Sequence, residues 1–253
     1  MKIRILILAL SGLAIGPVFA DDPGLFHTFT DAKGRTTSAQ IIDIDLSARK
    51  ILLKREDAVE AWVNVDALST EDHDYIEGWY ESTALLSASN LQVSARQKQA
   101  KETTTQNDGI TVRETPHYAA ITLTNLSGES IDNLRIDYCY YIGSDDSYLA
   151  AEALLDNARK ESGFIVVGRL EAGQKLVVET ENVMLKAYFE QQAETSLFGT
   201  TLTEVLQHED SILAISFKVY GSGENGILSM REVCIPDTMI AENKSPLQSN
   251  SKS

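Results

Sequence analysis

The sequence predicts a mainly β protein: a small β-barrel with a closing helix, followed by a β-sandwich with one or two short helices. Short apolar segments separated by turn residues recur along most of the chain. Several of these segments alternate between apolar and polar residues with a period of two, which is typical of strands that bury one face. A spacing of three to four residues, typical of amphipathic helices, is prominent only near residues 75 and 150.

The first module, residues 24–82, has the pattern of four strands followed by a helix. The expected strands are residues 26–30, 35–45, 50–56 and 59–65. A helix is expected to begin after Ser69, because its hydroxyl can cap the first turn and Asp72 follows as the acid of a capping box. The apolar face of this helix is formed by Tyr75, Ile76 and Trp79.

An ordered set of short motifs in this module resembles a known family. The motifs are Phe29-Thr30-Asp31, Gly34-Arg35, Ala39, Leu53-Lys54-Arg55-Glu56-Asp57, Leu68-Ser69, Glu71-Asp72 and Tyr75. Their order and spacing resemble the first Sla homology domain, a Src-homology-3-like barrel that also occurs in many exported bacterial proteins. The resemblance covers the first module alone. It implies a small barrel that binds a peptide or a protein.

One departure from the family lies at Asp57-Ala58, where the family commonly has Asp-Gly. Two-residue hairpin turns require a positive φ, which glycine adopts most readily. Alanine in place of glycine therefore argues against a tight two-residue turn at Asp57-Ala58, whereas the rest of the module keeps the family's pattern.

Aromatic residues in the first module offer a candidate partner contact at Trp62. One interpretation is that Trp62 lines a peptide groove, as aromatic residues do in Src-homology-3 relatives. The other is that Trp62 packs beneath the helix against Ile76 and Trp79. We expect the second arrangement, because a small barrel needs its few large apolar side chains for its core.

The second module, residues 88–240, has the pattern of a β-sandwich. Its clearest strand is residues 134–142, where five apolar or aromatic residues alternate with polar positions. The other expected strands are residues 91–95, 110–114, 118–124, 164–170, 175–179, 212–220 and 227–235. Many short strands separated by turn residues favour an immunoglobulin-like architecture.

Four segments of the chain are expected to differ from this strand pattern. Residues 96–108 are almost wholly polar, which predicts a mobile loop or linker. Residues 145–158 combine a capping Asp-Asp-Ser with apolar residues at helical spacing and predict a short helix. Residues 184–206 are interpreted as mixed helix and loop. Residues 241–253 are polar and predict a disordered tail.

The first twenty residues have the organisation of a secretory signal peptide. Lys2 and Arg4 precede an apolar run from residue 5 to residue 15, and Gly16-Pro17 interrupts it before Ala20. The run is about half the length of about 20 residues that a membrane span needs. We therefore expect cleavage after Ala20, a secreted or periplasmic location and no membrane span in the mature chain.

The charge of the chain excludes one large class of partner. Lys and Arg number 22 and Asp and Glu number 37, for a net charge of −15. Without Lys2 and Arg4 the excess of acid is larger still. Nucleic-acid binding requires Lys and Arg to displace counterions from phosphates, so no nucleic-acid partner is expected. The sequence leaves the oligomeric state open.

Cys139 and Cys234 are the two cysteines of the chain. An exported location permits disulfides, and a bridge between them would contribute about 4 kcal/mol in the chain-entropy interpretation. Cys139 alternates out of phase with the apolar residues Leu134, Ile136 and Tyr138, which favours free thiols. Both alternatives stay open from sequence.

No motif of the chain predicts catalytic, cofactor-binding or metal-binding residues. Residues 221–226, Gly-Ser-Gly-Glu-Asn-Gly, match a dinucleotide-binding pattern, but strand-like segments flank them where the motif requires a helix, so a hairpin turn is expected. The four histidines, His27, His73, His117 and His208, lack the spacing of a zinc site. No nucleophile elbow is present.

These features favour an exported, non-enzymatic binding or scaffold protein that engages a peptide or a protein and uses no cofactor. Two alternatives remain. One is an envelope hydrolase whose catalytic cluster is assembled from distant residues. The other is a sandwich that binds a sugar or a cation at its loops.

Overall fold

The computed structural model describes residues 24–144, 157–196 and 199–234. These residues form fourteen strands, one 3₁₀ turn and one α-helix, so the protein is mainly β as the sequence predicts. The signal peptide with Ala20, residues 145–156 of the expected second helix, and the expected tail lie outside the described residues.

The first sheet contains four antiparallel strands in their order along the chain. They are β1 (His27–Thr30), β2 (Thr36–Asp45), β3 (Lys50–Arg55) and β4 (Glu60–Asn64). A 3₁₀ turn at Val65–Ala67 leads into helix α1, Thr70–Leu85. The helix packs its apolar face on the sheet, and the seven buried core residues are Phe29, Ala39, Ile41, Ile51, Leu53, Ile76 and Trp79.

The hairpin between β3 and β4 keeps its tight turn without glycine. Ala58 adopts a φ of 63°, and its N–H donates to the Arg55 carbonyl at 3.0 Å. A left-handed conformation is strained for a residue with a Cβ atom. The departure from Asp-Gly therefore changes the energy of this turn and leaves its shape in place.

The rest of the described chain forms two antiparallel sheets. The second sheet contains β5 (Leu91–Gln99), β6 (Thr103–Asn107), β7 (Ile110–Asn125), β10 (Lys175–Glu179), β11 (Val183–Ser196) and β12 (Gly199–Glu209). The third sheet contains β14 (Ser229–Cys234), β13 (Ser211–Ser222), β8 (Ile131–Gly143) and β9 (Arg159–Leu170), in that spatial order. Both sheets, with the C-terminal end of α1, contribute to one core of nineteen buried residues.

Two predictions for the second sheet are wrong. Residues 96–108 include the end of β5 and all of β6, which pair along β7 and expose nearly all their polar side chains. Residues 184–196 and 199–206 belong to the two strands of the long β11–β12 hairpin. The first segment is held by backbone hydrogen bonds to β7, and the second by backbone hydrogen bonds between β11 and β12. Their polar side chains are tolerated because an antiparallel sheet can expose one face to water.

The β13–β14 loop joins the two parts of the molecule. It carries the Gly-Ser-Gly-Glu-Asn-Gly segment, and the predicted hairpin is confirmed because β13 and β14 pair antiparallel on either side of it. Asn225 donates to the Gly78 carbonyl at 3.2 Å and to Glu81 at 3.0 Å. A Cβ atom at Gly78 would lie 3.2 Å from Asn225 Nδ2 and 2.5 Å from Ile227 Cδ1, so the flexible end of the Ile227 side chain would have to move.

Cys139 and Cys234 are free thiols in the structure, so the bridge that the sequence permitted is not formed. Both lie opposite Ser216 of β13, one on β8 and one on β14. Two strand spacings separate their Cα atoms by about 9–10 Å, and a disulfide needs less than about 7 Å. Burial raises the pKa of the Cys139 thiol, which makes it less reactive.

Candidate functional site

Asp72 fixes helix α1 to the first sheet. Ser69 is the N-cap and forms the expected capping box with Asp72. The Asp72 carboxylate also accepts the Thr30 N–H at 2.8 Å and lies 2.9 Å from His27 Nε2. The residue is only 1% exposed, so these hydrogen bonds replace water around a buried charge.

The hydrogen bonds around Asp72 decide its ionisation. Burial raises the pKa of Asp72, but hydrogen bonds from the Thr30 N–H, the Ser69 hydroxyl and His27 outweigh it, so the pKa lies below its ordinary value. The His27 ring is stacked on Tyr75 at a centroid distance of 3.8 Å. This cluster therefore holds α1, β1 and the intervening turn in one arrangement.

Ser69, Asp72 and His27 are a serine, an acid and a histidine in one place, but their order is not that of a nucleophilic triad. The Ser69 hydroxyl donates to Asp72 at 2.8 Å, and the carboxylate lies between the hydroxyl and the imidazole. A nucleophilic serine must instead hydrogen-bond the histidine. The geometry of this cluster is that of a helix cap.

The turn between β2 and β3 forms one wall of a groove beside α1. Asp45 holds this turn by accepting the Ser47 hydroxyl at 2.6 Å and the Ala48 N–H at 2.9 Å. These hydrogen bonds, the Ser47 hydroxyl first, lower the pKa of Asp45, although burial opposes them. Arg49 ends the turn with a φ of 51° and forms an ion pair with Asp66.

The groove between this turn and α1 has a volume of about 350 Å³. We name it the β2–α1 groove. Its apolar lining comes from Ile44, Leu46, Val65, Ile76 and Tyr80, and its polar lining comes from Asp45, Arg49, His73 and Glu77. This combination can accept an apolar side chain while the charged rim contacts polar groups of the same ligand.

Two exposed apolar side chains stand beside the β2–α1 groove. Leu46 is 59% exposed and Tyr80 is 43% exposed. His73 lines the groove between them, and its Nε2 lies 2.8 Å from the Val65 carbonyl oxygen, which ties the helix to the 3₁₀ turn. Neither Leu46 nor Tyr80 adds to the core, so both remain able to contact a ligand.

Trp62 does not pack beneath α1, and that expectation is wrong. It pairs with Leu52 across β3 and β4, on the opposite face from Ile51 and Leu53, and half of its surface is exposed. Trp79 alone fills the predicted place in the core. Trp62 therefore offers an exposed aromatic surface that is separate from the β2–α1 groove.

The other residues considered from sequence do not converge. Among the described residues, no group of three or more His, Cys, Asp or Glu side chains is placed to hold a metal ion. His117 lies 2.6 Å from Gln97, and His208 lies 3.0 Å from Asp210, each far in sequence from the groove. No helix in the part of the chain that the structure describes is long and apolar enough to cross a membrane.

The sequence pointed to only part of the groove. Leu46 and Arg49 lie between the expected strands 35–45 and 50–56, and Tyr80 follows Trp79 in the expected helix. A usable signal was present, because Leu46 is a large apolar residue inside an otherwise polar turn. Nothing in the local sequence indicates that this turn approaches α1.

Comparison with known proteins yields no family. No family model matches the chain, and no curated protein matches it. Among solved structures, the structural genomics target SoR45 is 10% identical, covers 50% of this chain and 89% of its own, and has a TM-score of 0.28. The putative ApaA protein from Bordetella pertussis is 13% identical, covers 59% and 94%, and has a TM-score of 0.29.

A third solved structure is DesR, a β-glucosidase from Streptomyces venezuelae in complex with D-glucose. It is 15% identical, covers 56% of this chain and 15% of its own, and has a TM-score of 0.19. All three likenesses are distant and cover parts of the chain.

Proposed function

We propose that this chain is an exported, non-enzymatic binding or scaffold protein that takes an apolar side chain of a peptide or protein in the β2–α1 groove. The observation that carries the proposal is the groove itself, with Leu46 and Tyr80 exposed beside an apolar floor. Recognition sites of this kind combine an apolar pocket with a few polar groups that fix orientation.

The architecture supports this proposal. We infer that the first sheet and α1 form a Src-homology-3-like barrel of the Sla-homology type, followed by an immunoglobulin-like sandwich. The four sequential antiparallel strands and the Ser69 cap are consistent with the first assignment. The two sheets that share one core are consistent with the second.

Export supports the choice of partner. We infer that the signal peptide is cleaved after Ala20 and that the mature chain acts in the periplasm or outside the cell. The partner would then be a peptide or protein of the cell envelope or its surroundings. The excess of acidic residues disfavours nucleic acid for the same chain.

A peptide selection tests the groove directly. A phage-displayed peptide library would be selected on the purified protein, and the dissociation constants of enriched peptides would be measured by fluorescence anisotropy. We expect a consensus with an apolar anchor residue. Tyr80→Ala and Leu46→Asp should each weaken binding by about tenfold or more, because both remove groove contacts.

Leu202→Asp is the matched control, since Leu202 is an exposed apolar residue of β12 remote from the groove. Its variant should bind the selected peptides as the wild type does. Enriched peptides that bind both groove variants with unchanged affinity would contradict the β2–α1 groove as the site. Peptides that lose affinity only in Trp62→Ala would assign binding to the outer face of β4 instead.

A further inference from the structure

Strand β9 forms an edge of the third sheet. The strands lie in the order β14-β13-β8-β9, and β9 pairs with β8 on one side only. Within the described ranges, no backbone hydrogen bond joins the other side of β9 to a further strand. An edge strand presents a row of N–H and C=O groups that can pair with another strand.

The middle of β9 lacks the usual protection of an edge. Residues 162–168 carry no charge and include four consecutive large apolar residues. Phe164 and Val166 lie on the outer face of the sheet and are 54% and 70% exposed. Charged residues occur only at the two ends of the strand, where they can select a register rather than prevent pairing.

Antiparallel pairing of β9 with the same strand of a second copy has one register with matched charges. In this register Ile165 lies opposite Ile165, and Phe164 lies opposite Val166 of the second copy. Beyond the bulge at Val167 the pairs shift by one residue, so that Lys160 lies opposite Glu171 of the second copy on the same, outer face. All these residues belong to β9 except Glu171, which directly follows it. Aromatic pairs with β-branched residues and pairs of opposite charge both stabilise antiparallel strands.

The neighbouring registers lose this pair of opposite charges. A continuous sheet with both outer faces on the same side requires the register to change by two residues at a time. A shift in one direction places Lys160 opposite Arg169, and a shift in the other places Glu171 opposite the uncharged Ser162. Like charges directly opposite are destabilising.

The bulge in β9 sets this match. Val167 is an extra residue relative to β8, because Leu134 pairs with Gly168 while Arg135 pairs with Val166. This extra residue shifts the pairs beyond it by one position, which brings Lys160 opposite Glu171 of the second copy. Glu161 and Arg169 do not face each other, because Glu161 lies on the inner face with Tyr140 whereas Arg169 lies on the outer face.

We propose that two copies of this chain associate through antiparallel β9–β9 pairing centred on Ile165. The pairing joins two four-stranded sheets into one continuous sheet and covers Phe164 and Val166 of both copies. The interface lies on the third sheet, away from the β2–α1 groove, so its success or failure is independent of the proposed peptide binding.

Sedimentation velocity over a wide range of concentration tests the association. The wild type should pass from monomer to dimer, and Val166→Lys should raise the dimer dissociation constant by about tenfold or more, because it places an ammonium group opposite Phe164. Val205→Lys is the matched control, an exposed valine on β12, at the opposite edge of the second sheet from β10, whose variant should dimerise normally. A wild type that remains monomeric throughout overturns the proposal.

Cysteine cross-linking tests the register. In a Cys234→Ser background, Phe164→Cys protein mixed with Val166→Cys protein should give a covalent dimer on oxidation, because the two positions are directly opposite. Either variant oxidised alone should give much less. Equal cross-linking in all three samples, or a dimer that Val166→Lys leaves intact, would also overturn β9–β9 pairing.

Discussion

The first sheet with α1 and the pair of sheets that follows are stabilised in different ways. The first has seven buried core residues and a nearly buried carboxylate that ties its helix to β1 and the turn. The second has nineteen buried core residues drawn from both sheets and the end of α1. A small core contributes less hydrophobic free energy, so specific polar contacts matter more in the first region.

This difference also places the candidate site. The β2–α1 groove lies on the region with the smaller core, and its walls depend on the Asp45 turn and the Asp72 cap. Substitutions that destabilise only one of the two regions therefore test which contacts hold the walls of the groove in place. Both tryptophans lie in the first region, so tryptophan fluorescence reports its unfolding while far-ultraviolet circular dichroism is dominated by the larger sheets.

The largest effect is expected in the larger core. Phe217 is fully buried in β13, and Phe217→Ala should lower the free energy of unfolding by about 3–5 kcal/mol through lost burial and a cavity. Chemical denaturation followed by circular dichroism measures the change. Val177→Ala, at an exposed position, should cost less than about 0.5 kcal/mol. Equal costs for the two variants would refute the assignment of this core.

A smaller effect is expected from Asp72→Asn in the first region. The substitution removes charge-assisted hydrogen bonds to Thr30, Ser69 and His27 and should cost about 2 kcal/mol. Asp74→Asn removes an exposed charge from the same part of the helix and should cost far less. Denaturation followed by tryptophan fluorescence is the measurement, and indistinguishable midpoints would show that the cap is not important.

The same carboxylate makes the first region sensitive to acid. The pKa of Asp72 in the folded protein lies below its ordinary value of 3.8. Its contribution is therefore fully present above that pH and is lost as the pH falls through the folded pKa. Below that range, the wild type and Asp72→Asn should converge in stability. A difference that persists unchanged in acid would contradict an ionised, hydrogen-bonded Asp72.

The contact between the two regions is expected to make a modest contribution to the free energy of unfolding. Asn225→Ala removes the hydrogen bonds to Gly78 and Glu81 on α1 and should cost about 1 kcal/mol. Glu224→Ala, its exposed neighbour in the same loop, is the control. We expect Asn225→Ala to widen the gap between the fluorescence and circular dichroism transitions. A variant that shifts neither transition would show that the loop merely lies beside the helix.

The smallest effect on stability is expected at Trp62. Trp62→Phe should change the free energy of unfolding by less than about 0.5 kcal/mol, because the side chain is half exposed. Its emission should shift to shorter wavelength, since only the buried Trp79 remains, and quenching by acrylamide should fall. Trp79→Phe should do the reverse. A shift to longer wavelength in Trp62→Phe and to shorter wavelength in Trp79→Phe would show that Trp62 is the buried tryptophan.

The strands of the first region and the Ser69 cap could be predicted because their signals are local. The hydroxyl of Ser69 and the acid of Asp72 lie within one helical turn, and strand alternation is visible over a few residues. The errors at residues 96–108 and 184–206 have one cause. Those segments are strands because β7 and the β11–β12 hairpin offer backbone partners, which side-chain polarity does not reveal.

The candidate site shows the same division between local and distant information. Trp62 could be named from sequence, but the face it occupies depends on the pairing of β3 with β4. The place of Tyr80 in the groove depends on the position of α1. Leu46 becomes part of a groove only because Asp45 folds its turn toward the helix. Likewise, Cys139 and Cys234 cannot form a disulfide because β13 lies between the strands that carry them.

The sequence by itself determined the mainly β class, the caps, most strand positions and the excess of acid, because these follow from neighbouring residues and composition. The tertiary structure alone decided which strands are neighbours, which aromatic residues are exposed, and where the groove and the β9 edge lie. These features arise from contacts between residues far apart in the chain, where one change of register or strand order moves every side chain to a new environment.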